Sequence, residues 1–474
     1  MRANCAAKLK ALLGLWKVLL CVILISSCNS DEPESENEYV NRWILENMEL
    51  YYLWNTYIPN SPNKSQEPDV FFESLLSNED RFSWIQENYQ ELLNSLQGIN
   101  KEAGYEFLLY RDNVNPENVL AQVVYVKAGS PASTKDILRG DIITQINGQQ
   151  ITMTNYTTLL SLITENHTVK YSRYNFSTSL FEDKGTLSLT TTEFAENPNY
   201  LNQIYQIGDK KIGYYVYNFF ATGPSSTSAQ YNDEMDAIFN QFKAQGITDL
   251  IVDLRYNSGG AESATINLAS LIGKAVTSSD IFTIREYNDI VEAQLSPDLL
   301  TRKFVDKAQN VGSMLSGNRV YVLTRNRTAS ASELLINGLK PYMDVFIVGD
   351  TTIGKNVGSI SLYEENDPKN TWGMQPIVVK SYNKLNQSDY STGFIPNIVD
   401  EDNSLVLLPI GDLEENLLSI AVAEITGTGG SKIARKKMKG EMIGASADRK
   451  RGNFNLLIDD ERIKTSLKAS QPIP

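Results

Sequence analysis

The sequence predicts a multidomain α+β protein, built from a helical N-terminal segment, a compact β-rich module and an α/β core. Three observations predict it. The 474-residue chain is too long for one hydrophobic core. A composition of 42% hydrophobic and 21% charged residues is that of a folded chain. The texture then changes twice, from a helical apolar period to short β-rich runs, and from these to strands alternating with helices.

Residues 1–27 carry Arg2, Lys8, Lys10 and Lys17 without an acid, followed by the apolar run Val18–Ile25 and by Ser26-Ser27-Cys28. This is the pattern of a signal peptide with a lipobox-like end. The run is short for a membrane span. Cleavage before Cys28 would leave an N-terminal thiol, the group that receives diacylglycerol in bacterial lipoproteins. Cys28 is therefore the expected lipidation site, and the protein is expected in a Gram-negative-type envelope, lipid-anchored, periplasmic or surface-exposed. Cys5, Cys21 and Cys28 all lie at or before the cut. Disulfides, cysteine nucleophiles and cysteine metal sites are thereby excluded from the mature chain.

Of the 43 basic residues four fall in this segment, leaving 39 against 57 acidic ones. So acidic a surface repels phosphate backbones and argues against nucleic-acid partners. Residues 28–37 read as an acidic tether, with Asp31, Glu32, Glu34 and Glu36 among Ser and Pro. Together with Glu38 the run also resembles the acidic export signal of some surface lipoproteins.

Residues 38–92 form the expected helical domain, since Val40, Trp43, Ile44, Met48, Tyr51 and Tyr52 recur at steps of three and four. Over 93–192 short apolar runs, Phe107–Tyr110, Ala121–Val126 and Ile142–Ile146, are punctuated by Gly-Ser-Pro and Asn-Gly, which predicts a β module. Over 200–427 the strands Ile212–Val216, Leu250–Leu254, Arg319–Leu323 and Val345–Val348 alternate with helices near Asp233–Gln245, after Gly260 and from Ala331, which predicts an α/β layer. Residues 428–474, with Arg435, Lys436, Lys437 and Lys439 and no sustained apolar period, read as a basic mobile tail.

Two constellations carry chemistry. In the β module, Val126-Lys127-Ala128-Gly129-Ser130-Pro131-Ala132, Leu138-Arg139-Gly140-Asp141-Ile142-Ile143 and Ile146-Asn147-Gly148 resemble the PDZ signature. That resemblance implies a groove that takes an extended peptide C-terminus as an added strand. Gly104-Tyr105-Glu106-Phe107 matches the family's carboxylate-binding loop, whose free N–H groups receive the peptide terminus. Glu106 suits that role only if its own charge points away.

In the core, Thr328-Ala329-Ser330-Ala331-Ser332-Glu333 follows a strand and opens a helix, so Ser330 stands where orphan N–H groups favour a developing oxyanion. The chain's single histidine, His167, lies in a polar stretch of the β module and reads as a surface residue, which leaves a serine nucleophile without an imidazole base. The next strand runs out into Gly349-Asp350-Thr351-Thr352-Ile353-Gly354-Lys355, and in a parallel layer this loop returns beside the helix start. A lysine can replace the imidazole when burial keeps its amine neutral.

At this point the sequence resembles the C-terminal processing peptidases, or tail-specific proteases, over residues 38 to about 425. The match rests on Thr-Ala-Ser-Ala-Ser-Glu with Gly-Lys following, on Leu250-Ile251-Val252-Asp253-Leu254-Arg255-Tyr256-Asn257-Ser258-Gly259-Gly260, and on the strand from Ile212-Gly213-Tyr214 to Phe219. The resemblance implies a ClpP/crotonase-like core over 200–427, with Ser330 as nucleophile and Lys355 as base. Gly259, Gly260 and Ala331 are the candidate oxyanion donors. Ser332 is the rival serine, but the family's spacing selects Ser330. Many members place a Gln four residues after the lysine; here that position is Ser359, the candidate support for the amine.

The implied substrates are peptides or unfolded proteins with free C-termini. One histidine and no usable cysteine leave no metal site or other cofactor expected. Gly349 to Asn356 also fits most of a phosphate-binding P-loop, but Asn356 stands where Ser or Thr should hold magnesium and no helix is predicted after it. The rival reading of the whole chain is a catalytically silent lipoprotein that binds peptides through the PDZ-like groove.

Overall fold

The computed structural model describes residues 34–428, 439–449, 455–460, 462–463 and 465–466. The expected signal segment, Cys28 and most of the tether lie outside these residues, as do Arg435, Lys436 and Lys437. Among the described residues no helix is long and apolar enough to cross a membrane.

The first helix, Glu36–Tyr51, starts where Ser35 accepts a hydrogen bond from the Glu38 N–H and the Glu38 carboxylate reaches back to the Ser35 amide. This reciprocal pairing satisfies two orphan donors and starts the helix inside the stretch read as tether. Its apolar face, Val40, Ile44, Leu45 and Met48, packs on Phe71 and Phe72 of the helix Pro68–Ser74 and on Met374 of the core. The N-terminal domain is therefore anchored to the core by burial.

The β module is one sheet in the order Glu441–Ala445, Tyr105–Arg111, Val119–Val126, Ile142–Ile146, His167–Asn175, Leu180–Leu189, with the short helix Tyr156–Ser161 against its core. The signature residues interlock: Gly104 O accepts from Lys127 N at 2.9 Å and from the Ser130 hydroxyl at 3.2 Å. A side chain at Gly104 would meet Ser130 Cβ at 2.1 Å with φ at +89°, so only glycine fits there. His167 is buried rather than superficial, its Nε2 2.9 Å from the Tyr105 hydroxyl and its Nδ1 2.7 Å from Glu165 O. As the first residue of an inner strand it points into the module, which its polar neighbours did not reveal.

The core stacks two six-stranded sheets. The first has the order Asn199–Ile207, Lys210–Tyr217, Asp249–Asp253, Arg319–Thr324, Asp344–Gly349, Ile398–Val399, parallel after its first pair. Its central strands are apolar on both faces, as parallel strands covered on both sides must be: Tyr215, Leu250 and Val252 face one cluster, Tyr214, Ile251 and Leu323 the other. The second sheet runs Gly259–Ala261, Asn455–Leu457, Val357–Ser359, Ile377–Tyr382, Ile281–Tyr287, Thr301–Lys303. The helices Glu262–Ile272 and Ala331–Leu339 pack on each other within the core.

The stretch expected as a mobile tail departs from that expectation over its described residues. Glu441–Ala445 adds to the edge of the β module and Asn455–Leu457 sits inside the second core sheet. Main-chain pairing and the burial of Ala445, Leu456 and Ile458 hold these segments where no periodicity announced them.

Candidate active site

Ser330 is the residue preceding the helix Ala331–Leu339 and adopts φ +63°, ψ −113°. A side chain other than glycine's is strained there, and such strain persists only where the surroundings over-determine it. They do so through Glu333, fully buried one turn into the helix. Its Oε2 accepts from the Ser330 N–H at 2.8 Å and from the Lys355 N–H at 2.8 Å. Its Oε1 accepts from the Gly354 N–H at 2.7 Å and from the Thr352 hydroxyl at 2.6 Å. One carboxylate thus ties the serine turn to the lysine loop.

Burial pushes the Glu333 carboxyl up, while the Thr352 hydroxyl and the three amides oppose that rise by stabilising its charge. Sequence reasoning quoted Glu333 within a motif without giving it a role. The signal available was the three-residue spacing of a reciprocal N-terminal cap.

Ser330 and Lys355 are both 0% exposed. Among the described residues the Ser330 hydroxyl has no hydrogen-bond partner, the Lys355 amine included. Burial lowers the Lys355 amine to about 7, against the pull of the Asp80 and Glu333 carboxylates toward the charged form. Its Nζ lies 4.9 Å from the centre of the Phe82 ring. The segment carrying Phe82 is held over the lysine loop by Arg81, which donates to Ile353 O at 3.1 Å and Ser391 O at 3.3 Å. The N-terminal domain thereby supplies the dry environment that an uncharged lysine requires.

The glycine turn lies against the same helix start. Asn257 organises it: its Oδ1 accepts from Gly259 N at 2.9 Å, its Nδ2 donates to Tyr217 O at 2.9 Å, and its carbonyl accepts from the Ser332 hydroxyl at 3.1 Å. Ser332 is thus committed to the scaffold. Gly260 has φ +137° and a Cβ there would stand 2.1 Å from Phe220 O, so the close approach of the two strands demands glycine. Ala331 is the first residue of the helix, where N–H groups lack intrahelical partners.

Ser359, in the strand Val357–Ser359, donates its hydroxyl to Gln375 Oε1 at 2.8 Å, and Gln375 Nε2 donates to Ser361 Oγ at 2.5 Å. A buried glutamine is therefore present beside this position, contributed by the strand Gly373–Gln375. The lysine loop continues into an extended strand and not a helix, which removes the P-loop geometry.

In the β module, the Glu106 carboxylate is balanced by a buried cation and also accepts from the Ser446 hydroxyl. It lies 2.8 Å from Lys127 Nζ, which also meets Glu102 at 2.6 Å and Glu196 at 2.8 Å. Burial alone would lower the Lys127 amine, yet the three carboxylates hold it well above its ordinary value. The loop's Phe107 N–H donates to Ser446 Oγ at 3.0 Å. Of the residues expected to form the peptide loop, Gly104 precedes the strand Tyr105–Arg111 and Tyr105, Glu106 and Phe107 open it, and that strand is paired along its outer edge with Glu441–Ala445.

Comparison with known proteins matches residues 211–398 to the peptidase family S41 model, 39–84 to the peptidase S41 N-terminal domain and 122–170 to a PDZ domain. A carboxyl-terminal-processing protease of Picosynechococcus sp. is 27% identical over 315 residues, 66% of this chain and 67% of that one. The carboxy-terminal processing protease CtpA of Bacillus subtilis is 25% identical over 318 residues, 66% of this chain and 59% of that one. The chain thus spans between about half and two thirds of the curated relatives it matches. A crystal structure described as an S41 protease from Bacteroides fragilis superposes with a TM-score of 0.69 at 27% identity, covering 82% of this chain and 98% of that one. In chain order the protein thus carries the N-terminal domain of peptidase family S41, a PDZ domain and a peptidase family S41 domain, the make-up of a serine-type peptidase.

Proposed function

We propose that the protein is a serine endopeptidase of the C-terminal processing type, in which Ser330 is the nucleophile and Lys355 the general base. The observation that carries this reading is the shared carboxylate: Glu333 Oε2 binds the backbone N–H of both residues at 2.8 Å, while the Ser330 hydroxyl has no hydrogen-bond partner among the described residues. The amine, held near 7 by burial, accepts the hydroxyl proton as Oγ attacks the scissile carbonyl. The resulting ammonium then protonates the leaving amine, and a water repeats the sequence to release the acyl group. The helix-start N–H of Ala331, with Gly259 or Gly260, stabilises the tetrahedral oxyanion. Because Gly259 N–H is bonded to Asn257 in this state, its use requires a small shift of the turn. A closing motion that brings Nζ onto Oγ is likewise part of the catalytic cycle, since such bonds tighten in the substrate complex. Ser359 belongs to the support of this arrangement through Gln375. Substrates enter as extended tails captured by the PDZ domain, with the loop from Gly104 to Phe107 receiving the free terminus.

A fluorophosphonate probe should label the wild type at Ser330 and leave Ser330→Ala and Lys355→Ala unlabelled. A quenched peptide with a free apolar C-terminus should be cleaved faster than its amidated form. Absence of native labelling would instead favour the silent peptide-binding lipoprotein. We further propose lipid attachment at Cys28 and an envelope location, for which metabolic incorporation of a palmitate analogue, lost in Cys28→Ala, is the test.

A further inference from the structure

In a PDZ groove a ligand adds antiparallel to the strand that follows the carboxylate loop and packs against a helix on the other side. Here that strand is Tyr105–Arg111, and its outer edge is filled by the chain's own Glu441–Ala445, antiparallel, with Ala445 opposite Leu108 and Glu441 opposite Arg111. The direction is that of a ligand, since the strand advances toward the loop. Ile443 turns to the module's core, among residues that include Phe107, Leu109 and Leu159, the last from the helix Tyr156–Ser161. Ser446 stands at the loop itself, where its hydroxyl accepts from Phe107 N at 3.0 Å and donates to Glu106. Asp448 then pairs with Arg327, three residues before Ser330.

We propose that the segment Glu441–Asp448 is a resident ligand of the PDZ groove, and that a substrate tail binds by exchanging with it. This inference rests on the proposed capture of tails by that groove. The resident strand also defines the partner it yields to: an extended peptide with a branched apolar side chain in the seat of Ile443 and a terminal carboxylate in place of the Ser446 hydroxyl. A carboxylate takes the Phe107 N–H more strongly than a neutral hydroxyl does, but it gives up the hydroxyl's bond to Glu106 and meets that carboxylate's charge, so a true C-terminus gains over the internal strand only as Glu106 stays on Lys127. A ligand held on the same chain competes at an effective concentration far above that of a dilute substrate, so only tails of matching chemistry gain entry.

The test uses the full chain with Ser330→Ala, to prevent cleavage, and a fluorescein-labelled peptide of residues Lys439–Ser446 ending in a free carboxylate. Anisotropy should show about tenfold or more tighter binding when Ile443→Asp is added, by removal of the tethered competitor. Asp448→Asn, which weakens the anchor on Arg327 and the acceptor for the Ala445 N–H, should shift binding in the same direction by a smaller factor. The amidated peptide should bind each protein more weakly. Equal or weaker binding in both variants, with the parent binding well, would overturn the exchange while leaving tail capture intact. No binding to any of the three proteins, together with equal cleavage of free and amidated peptides by the Ser330 enzyme, would overturn tail capture and the exchange with it.

Discussion

At the scale of the single residue the energetics turn on Lys355. In the unfolded chain its amine titrates near its ordinary 10.5, whereas in the fold it titrates near 7. Between those values unfolding takes up a proton, so stability rises with pH across that window, and below pH 7 the penalty for burying the amine is fully present. The difference corresponds to roughly 4 to 5 kcal/mol. Lys355→Met should therefore abolish turnover and yet stabilise the protein in urea unfolding at pH 7, with the gain shrinking to near zero by about pH 10.5. Glu333 behaves oppositely, because it accepts four hydrogen bonds from buried donors. Glu333→Gln turns an amide NH₂ toward N–H groups that need an acceptor, and should destabilise by about 3 kcal/mol and slow fluorophosphonate labelling of Ser330. The serine and the lysine were singled out in the sequence by a motif and its resemblance to a known family. Glu333 and Asn257 were not, because each acts through the direction of its hydrogen bonds, and spacing carries residue order without direction.

Among the elements, the segment from Asp80 to Ser83 carries the most consequence for chemistry. It is fixed at both ends, Asp80 accepting from the Tyr52 hydroxyl at 2.9 Å and the Ser83 hydroxyl accepting from Ile377 N at 2.8 Å. Between them Phe82 covers the lysine. Phe82→Ala should admit water to Nζ, raise its pKa, and move the acid limb of the kcat/KM profile to higher pH by about one unit. A profile that stays in place would mean that other groups keep the amine dry. Four of the six strands of the first core sheet, Lys210–Tyr217, Asp249–Asp253, Arg319–Thr324 and Asp344–Gly349, were visible as apolar runs of four or five residues. In the second sheet Gly259–Ala261 and Asn455–Leu457 are three residues each and too short to show a period, whereas the stretch from Val357 already read as extended. The identity of those two short strands comes from the neighbours they pair with, as it does for Glu441–Ala445, which has β-sheet partners 330 to 337 residues away in sequence.

Across the whole molecule, PDZ domain and core are joined by a buried ionic cluster centred on Glu415. Its carboxylate meets Arg255 of the core at 2.5 and 3.0 Å and Arg139 of the PDZ domain at 3.1 Å, and caps the helix Asn416–Thr426 by accepting from Leu418 N at 3.1 Å. Arg255 is shared further with Asp253 and Asp402, while Arg139 also donates to the Tyr256 hydroxyl and Leu408 O. Removing one member leaves the others charged and buried, so Glu415→Ala should destabilise by about 3 to 5 kcal/mol. Arg139→Met separates the two roles of the cluster, because it removes the link between domains and leaves the Arg255 pairs in the core intact. If the domains unfold as one cooperative unit through this contact, a urea transition that is single in the wild type should divide into two in Arg139→Met, the PDZ domain unfolding first and reporting through Tyr125 and Tyr105. A single transition retained in that variant would assign the coupling to the apolar contacts of Tyr125 with Tyr200 and Tyr256, whose rings lie 5.4 and 5.6 Å away, instead of to charge.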